Sequence, residues 1–255
     1  LLVSGSSAFY LDKKFKDSLA GRKKIFNVLT LSFREFLRFK NEIELSQKDF
    51  YNLGLSEKEK IITYYDEFMI YGGYPRVALA PLEEKEELLR EIAYSYIKKD
   101  IYEANIKQDE IFYKLLKILS SQVGSLVNSS ELAATLGISK TAIDNYLYIM
   151  QKSFHLVLIK PFFKNIRKEL TKMAKVFFLD LGLRNFLAGN FKNFRIREDK
   201  GALLENAALR QLIEKYDLSE IKFWRTIQRH EIDFIANNKF AFEVKTRPQS
   251  FRPKN

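Results

Sequence analysis

Two carboxylates and an ammonium stand close together near the end of the chain. They are Asp233 in His230-Glu-Ile-Asp-Phe234, and Glu243 and Lys245 in Phe242-Glu-Val-Lys245. Carboxylate oxygens suit Mg²⁺, which takes oxygen ligands and keeps several waters. Such an ion lowers the pKa of a bound water and stabilises charge on a phosphate. A neighbouring ammonium helps orient that water or stabilise the transition state. Other metal chemistry is narrower here: there is no Cys, and His155 and His230 are the only histidines, which excludes a Cys/His zinc site.

The elements that must position these groups follow from the spacing. Residues 231–236 and 240–246 alternate apolar and polar side chains, the pattern of two half-buried strands. Residues two apart share a face, so Glu243 and Lys245 point the same way. Asn237-Asn238-Lys239 suits a turn, because Asn tolerates left-handed backbone. A three-residue loop sets Ala236 opposite Phe240, Asp233 opposite Glu243 and Glu231 opposite Lys245. Ile232, Phe234, Phe242 and Val244 then line the other face. A two-residue loop would carry Asp233 to the face opposite Glu243, so the chemistry predicts the loop. The same residues also suit an ordinary amphipathic hairpin with its charges in solvent.

Upstream, a helical pattern opens at Gly201-Ala-Leu-Leu-Glu205-Asn206 and continues through Leu204, Ala208, Gln211, Leu212 and Tyr216. Lys222-Phe-Trp-Arg225 follows as a strand. Helix, strand, Asp strand, Glu-x-Lys strand is the order of a PD-(D/E)xK nuclease core, and Glu205 on the helix is placed to join the same metal. On Gly201-x-x-x-Glu205-Asn206, Glu231-x-Asp233-Phe234 and Glu243-Val-Lys245, the chain resembles the prokaryotic AAA-like ATPases with a C-terminal restriction-endonuclease-like domain. The resemblance extends upstream through Ser4-Gly-Ser-Ser7, Leu19-Ala-Gly-Arg22, Leu31-Ser-Phe-x-Glu35-Phe36, Gly72-Gly-Tyr-Pro75 and Lys175-Val-Phe-Phe-Leu-Asp180-Leu-Gly182.

That resemblance implies catalytic roles for Asp233, Glu243, Lys245 and Glu205, with Asp233, Glu243 and Glu205 holding Mg²⁺. It also implies nucleotide-sensing roles for Ser6, Ser7 and Arg22. Residue by residue, Ser6 and Ser7 equally suit a helix cap, and Arg22 a solvated cluster with Lys23 and Lys24. In the family a Gly-rich phosphate loop and an acidic strand precede the Ser-Gly-Ser-Ser strand. No Gly-x-x-x-x-Gly-Lys-Ser/Thr occurs here. The resemblance therefore implies a fragment lacking the Walker motifs, with ATP bound by the full-length parent and not by this piece.

The expected fold class is α/β in the mixed α+β sense, in four parts. Residues 1–40 would end the ATPase core, with strands at residues 1–3 and 24–29 and a Ser32-Phe-Arg-Glu35 capping box. Residues 41–110 would form its helical lid, with firm helices over 64–71 and 88–101. Residues 111–180 would be a winged helix: helix 130–136, turn 137–139, helix 140–151, then strands 154–160 and 175–179 around a basic loop. Residues 181–255 would be the nuclease-like domain, truncated ten residues after Lys245. The second helix of the winged helix would offer Lys140, Thr141 and Asn145 to a major groove, and Lys164, Arg167 and Lys168 would meet phosphates. Asp144 on the same helix weighs against phosphate contact, and many winged helices dock proteins instead.

Charge supports the nucleic-acid expectation. The net charge is +11, and residues 151–200 carry twelve Lys and Arg against four Asp and Glu. A polyanion, DNA in preference to RNA, is the natural partner. A hydrophobic content of 46% is ordinary for a chain with a packed core. With no run of about eighteen apolar residues, no membrane span is expected. The absence of Cys is compatible with a cytoplasmic location; self-association is left open. Two functional classes remain: a metal-dependent enzyme acting on nucleic acid, and a non-catalytic winged-helix adaptor for DNA or protein.

Overall fold

The computed structural model describes residues 26–163, 172–226, 228 and 230–246. The fold is mixed α+β: helices predominate, with a two-stranded and a three-stranded antiparallel sheet. Residues 26–29 carry no strand, unlike the expectation for 24–29. Instead Leu31 N–H donates to Gly73 O at 2.8 Å, so this segment docks edge-on against the glycine pair.

Helix α1 (Phe33–Phe39) starts at Ser32, whose hydroxyl accepts from Glu35 N–H while the Glu35 carboxylate takes Ser32 N–H. That reciprocal cap is the one the sequence spells. Helix α2 (Ile43–Gln47) is followed by α3 (Leu55–Tyr71), α4 (Pro75–Leu79) and α5 (Lys85–Glu103), the last of which contains the expected 88–101 helix. Pro75 opens α4, where its missing N–H is not needed. Between α3 and α4, Gly72 has φ +75°, and a Cβ there would lie 2.3 Å from Asp180 Oδ1. Asp180 in turn takes Gly73 N–H at 2.8 Å and caps the helix that begins at Leu181 through Leu183 N–H at 2.9 Å. The Gly72-Gly73 and Asp180-Leu-Gly182 motifs are thus two halves of one buried junction.

Helix α6 (Asp109–Ser121) precedes α7 (Ser129–Leu136) and α8 (Lys140–Lys152), which meet at a turn where Ser139 caps α8 through Ala142 N–H. Strands β1 (Leu156–Ile159) and β2 (Lys175–Phe178) pair antiparallel beside them, Leu156 opposite Phe178. Helix α9 (Leu181–Ala188) and helix α10 (Lys200–Leu212) lead to β3 (Ile221–Arg225), β4 (Glu231–Ala236) and β5 (Phe240–Phe242). The small sheet does not stand apart. Phe162 N–H donates to Phe223 O and Phe223 N–H to Lys160 O, so the chain leaving β1 runs alongside β3.

One apolar core runs from Ala93 and Phe112 through Ile143, Leu156 and Phe177 to Phe223 and Phe234. A second gathers Phe33, Phe36 and Phe68 with Leu181, Leu203 and Ala207. Helix α10 serves both, because Leu209 and Leu212 belong to the first and Leu203 and Ala207 to the second. Its inward stripe is shifted by one residue from the sequence pattern. Leu203, Asn206, Ala207 and Arg210 are buried, whereas Gln211 is exposed. The polar members explain the shift: Asn206 brackets Phe178, accepting its N–H at 2.8 Å and donating to its C=O at 2.7 Å, and Arg210 reaches Thr30 O at 2.6 Å. Among the described residues, no helix is long and apolar enough to cross a membrane.

Candidate functional site

The β4–β5 hairpin has the predicted register. Ala236 pairs with Phe240 and Phe234 with Phe242. The three-residue loop is made by Asn237 and Asn238, both at φ 52°, and Lys239 N–H closes it on Ala236 O at 3.1 Å. On the apolar face Phe234 is fully buried against the ring of Phe177, at 5.4 Å, and Phe242 and Val244 pack on the core. Toward β3 the register slips: Lys222 faces Ile235 but Trp224 faces Ile232. The extra residue therefore falls at Asp233–Phe234, opposite Phe223, and such bulges re-aim side chains.

Asp233 uses one oxygen to accept the N–H of Val244 at 2.7 Å. This side chain takes the place of a ladder partner, which is why β5 stops at Phe242 where the alternation led us to expect a strand through residue 246. The carboxylate is tied to the Glu243–Lys245 segment by that bond. Glu243 pairs with Lys245 at 2.5 Å, both half-exposed. The Lys245 ammonium is held above its usual range, first by its hydrogen bond to Glu243, and it also feels the charges of Asp233 and Glu205.

Glu205 sits on the α10 face that looks at β2. Burial pushes its carboxyl up to about 7; Lys175 opposes that shift, while Asp233 and Glu231 add to it. Asp233, Glu243, Lys245 and Glu205 therefore share one electrostatic neighbourhood. Glu231 finds its ion-pair partners outside the β4–β5 hairpin: it contacts Lys175 and, at 3.6 Å, Arg225.

Among the described residues, no three Asp, Glu or His groups are drawn close enough to hold a metal ion directly. The donor chemistry nevertheless fits a hydrated Mg²⁺ or Mn²⁺. Glu205 Oε2 is buried without a hydrogen-bond partner among the described residues, and all candidate donors are hard oxygens.

On α8, Lys140, Thr141, Asp144 and Asn145 are all exposed on one side, while Ile143, Tyr146 and Leu147 are buried. Ser6, Ser7, Arg22, Lys164, Arg167 and Lys168 lie outside the described residues. Lys175, within the Lys175-to-Gly182 motif, is the functional residue that spacing does not single out. Its signal was a lysine opening an otherwise apolar strand, Lys-Val-Phe-Phe.

A family model described as a domain of unknown function, DUF8612, matches residues 62–193, just over half of the chain. The chain belongs to that family. A second model, a domain of unknown function (DUF4143), matches residues 200–255 and so includes Glu205, Asp233, Glu243 and Lys245. Among curated relatives, an uncharacterized protein of Methanocaldococcus jannaschii is 28% identical over 96% of this chain and 54% of its own length. An uncharacterized protein of Haemophilus influenzae is 30% identical over 96% of this chain and 59% of its own. One from Mycobacterium bovis is 23% identical, over 96% and 52%. The chain thus spans about half the length of the curated relatives it matches. No solved structure matches it.

Proposed function

We propose that this chain carries a divalent-metal-dependent, nuclease-like site of the PD-(D/E)xK kind, within a longer ATP-binding protein that engages DNA through a winged helix. The observation that carries the reading is the hairpin register. It sets Asp233 against the Glu243–Lys245 segment, on the side where Glu205 keeps a buried oxygen without a hydrogen-bond partner among the described residues. Carboxylates are seldom gathered this way for stability alone, because like charges repel and burial penalises Glu205 in particular.

A bound Mg²⁺ would supply an activated water and offset charge on a phosphate. Asp233, Glu243 and Glu205 would hold it, and Lys245, half-exposed at the rim, would face the phosphate. The exposed side of α8 supports DNA contact through Lys140, Thr141 and Asn145. Support for the ATP-binding parent comes from outside the site: the second family model is often found in proteins associated with AAA ATPases, and the matched relatives are nearly twice as long. Ser6, Ser7 and Arg22 would then serve the nucleotide, and the location would be cytoplasmic.

One observation favours the second reading, a non-catalytic adaptor: Glu243 is already paired with Lys245 and no three carboxylates meet within ligating distance among the described residues. Cleavage decides between them. The full-length protein should cut plasmid or single-stranded DNA with Mg²⁺ or Mn²⁺, and Asp233→Ala and Glu243→Ala should each abolish it. No metal-dependent cleavage by the parent would move the reading to the adaptor, and cleavage that survives both substitutions would take these carboxylates out of the reaction.

A further inference from the structure

Lys175 opens β2, a strand whose other three residues are buried and apolar, and its side chain is only 3% exposed. A lysine ammonium is rarely taken that far from water unless it is paired. Its partners are Glu231 on β4 and, at 3.6 Å, Glu205 Oε2 on α10. The ring of Phe223 closes another side, 5.4 Å from Nζ. Glu205 reaches this point because Gly124, at φ +76°, leaves the space open: a Cβ there would stand 2.9 Å from Glu205 Oε2. Gly124 is itself held to the same strand, its N–H donating to Val176 O at 2.9 Å.

The two carboxylates are served unequally. Glu231 has Lys175 in contact and Arg225 at 3.6 Å. Among the described residues Glu205 has Lys175 as its one ion-pair partner, at a distance too long for a hydrogen bond, and keeps an oxygen with no hydrogen-bond partner. Lys175 thereby sorts the acids: Glu231 is consumed as a counterion, and Glu205 is oriented but left with coordinating capacity.

We propose that Lys175 is a positioning residue of the carboxylate site, holding Glu231 out of the cation-binding set and fixing Glu205 within it. Because Lys175 belongs to the β1–β2 hairpin beside the helix-turn-helix, that hairpin sets the geometry of the site. The proposal rests on the metal reading given above and deepens it.

The test uses the full-length protein and Mn²⁺ alone as probe, with binding followed by electron paramagnetic resonance. Lys175→Met should weaken Mn²⁺ binding at least tenfold, and Lys175→Arg should recover most of it. Lys175→Met leaves Glu231 beside the core without its main counterion, which works against folding, so the deciding variant is Lys175→Met/Glu231→Met. It removes one positive and one negative charge together and leaves the net charge unchanged. It should melt near the parent temperature yet still bind Mn²⁺ at least tenfold more weakly. Binding within twofold of the parent would make Lys175 purely structural and overturn the proposal. A metal-free measurement separates this from failure of the metal reading. The parent should give a solvent-protected ¹⁵Nζ lysine signal, absent in Lys175→Arg and shifted in Glu205→Gln. If the parent binds no Mn²⁺ but the signal responds to Glu205→Gln, the metal reading falls and the coupling of Lys175 to Glu205 stands. A signal indifferent to Glu205→Gln refutes the coupling whatever Mn²⁺ does.

Discussion

Asp199 and Glu205 lie six residues apart, one at the N-terminal end of α10 and one on its second turn, yet their surroundings treat negative charge in opposite ways. Asp199 is clamped by Arg184 at 2.5 Å and by Arg197 Nε at 2.8 Å. Burial alone would raise its pKa, but the hydrogen bonds from Arg197 and Arg184 and their charges overrule it and hold the carboxyl well below the usual carboxylate range. Glu205 has one lysine at 3.6 Å and two further acids nearby, and burial wins, lifting it to about 7. A saturated network of this kind locks chain segments together. An under-compensated one leaves room for another cation, which is the property a metal site needs.

The comparison can be broken at either end, and the largest effect should come from Asp199. Asp199→Ala leaves Arg184 and Arg197, at 1% and 3% exposure, buried without their shared acid. The expected loss is about 3–5 kcal/mol by urea unfolding, the usual cost of stranding a buried charge. A loss below about 1 kcal/mol would show that the clamp is not structural.

Glu205 should respond with the opposite sign. Its folded pKa is raised, so the folded protein keeps a proton that the unfolded chain gives up above about 4.5, and stability falls as pH rises from there to about 7. Without divalent cations, Glu205→Gln should gain about 1–3 kcal/mol at pH 8, a gain that shrinks to nothing near pH 4. Added Mg²⁺ should raise the melting temperature of the parent but not of the variant. A pH-independent gain would mean that Glu205 is not under-compensated.

Asp233→Ala removes the acceptor of Val244 N–H, which should cost about 1 kcal/mol, while eliminating Mn²⁺ binding in a calorimetric titration. Unchanged binding would take Asp233 out of the site. The smallest stability effect belongs to the exposed side of α8. Lys140→Ala should move stability by no more than about 0.5 kcal/mol, yet lower the salt slope of duplex DNA binding by about one unit. An unchanged slope points to protein docking instead.

Much of the site's local geometry was readable in advance. Strict alternation and the Asn237-Asn238 loop are properties of adjacent residues, and register follows from them, so Asp233 meeting the Glu243–Lys245 segment needed no tertiary information. The capping box at Ser32 and the helices on either side of Ser139 were legible for the same reason. The inward stripe of α10 lies one residue from the one periodicity predicts, because Asn206 and Arg210 are polar residues that face the core. Nothing local reveals that Phe178 and Thr30, distant in sequence, supply their hydrogen-bond partners.

What the chain determined by itself was therefore the order of elements, the hairpin register and the identity of the acids, all set by periodicity and turn chemistry over a few residues. Tertiary structure alone decided how charge is apportioned among them. It brought Lys175 from a strand 56 residues before Glu231, buried it against both acids, and so took up Glu231 as a counterion and left Glu205 only partly compensated. The physical reason is that burial sets both the desolvation cost of a charge and the strength of its pairing, and burial is a property of the packed molecule.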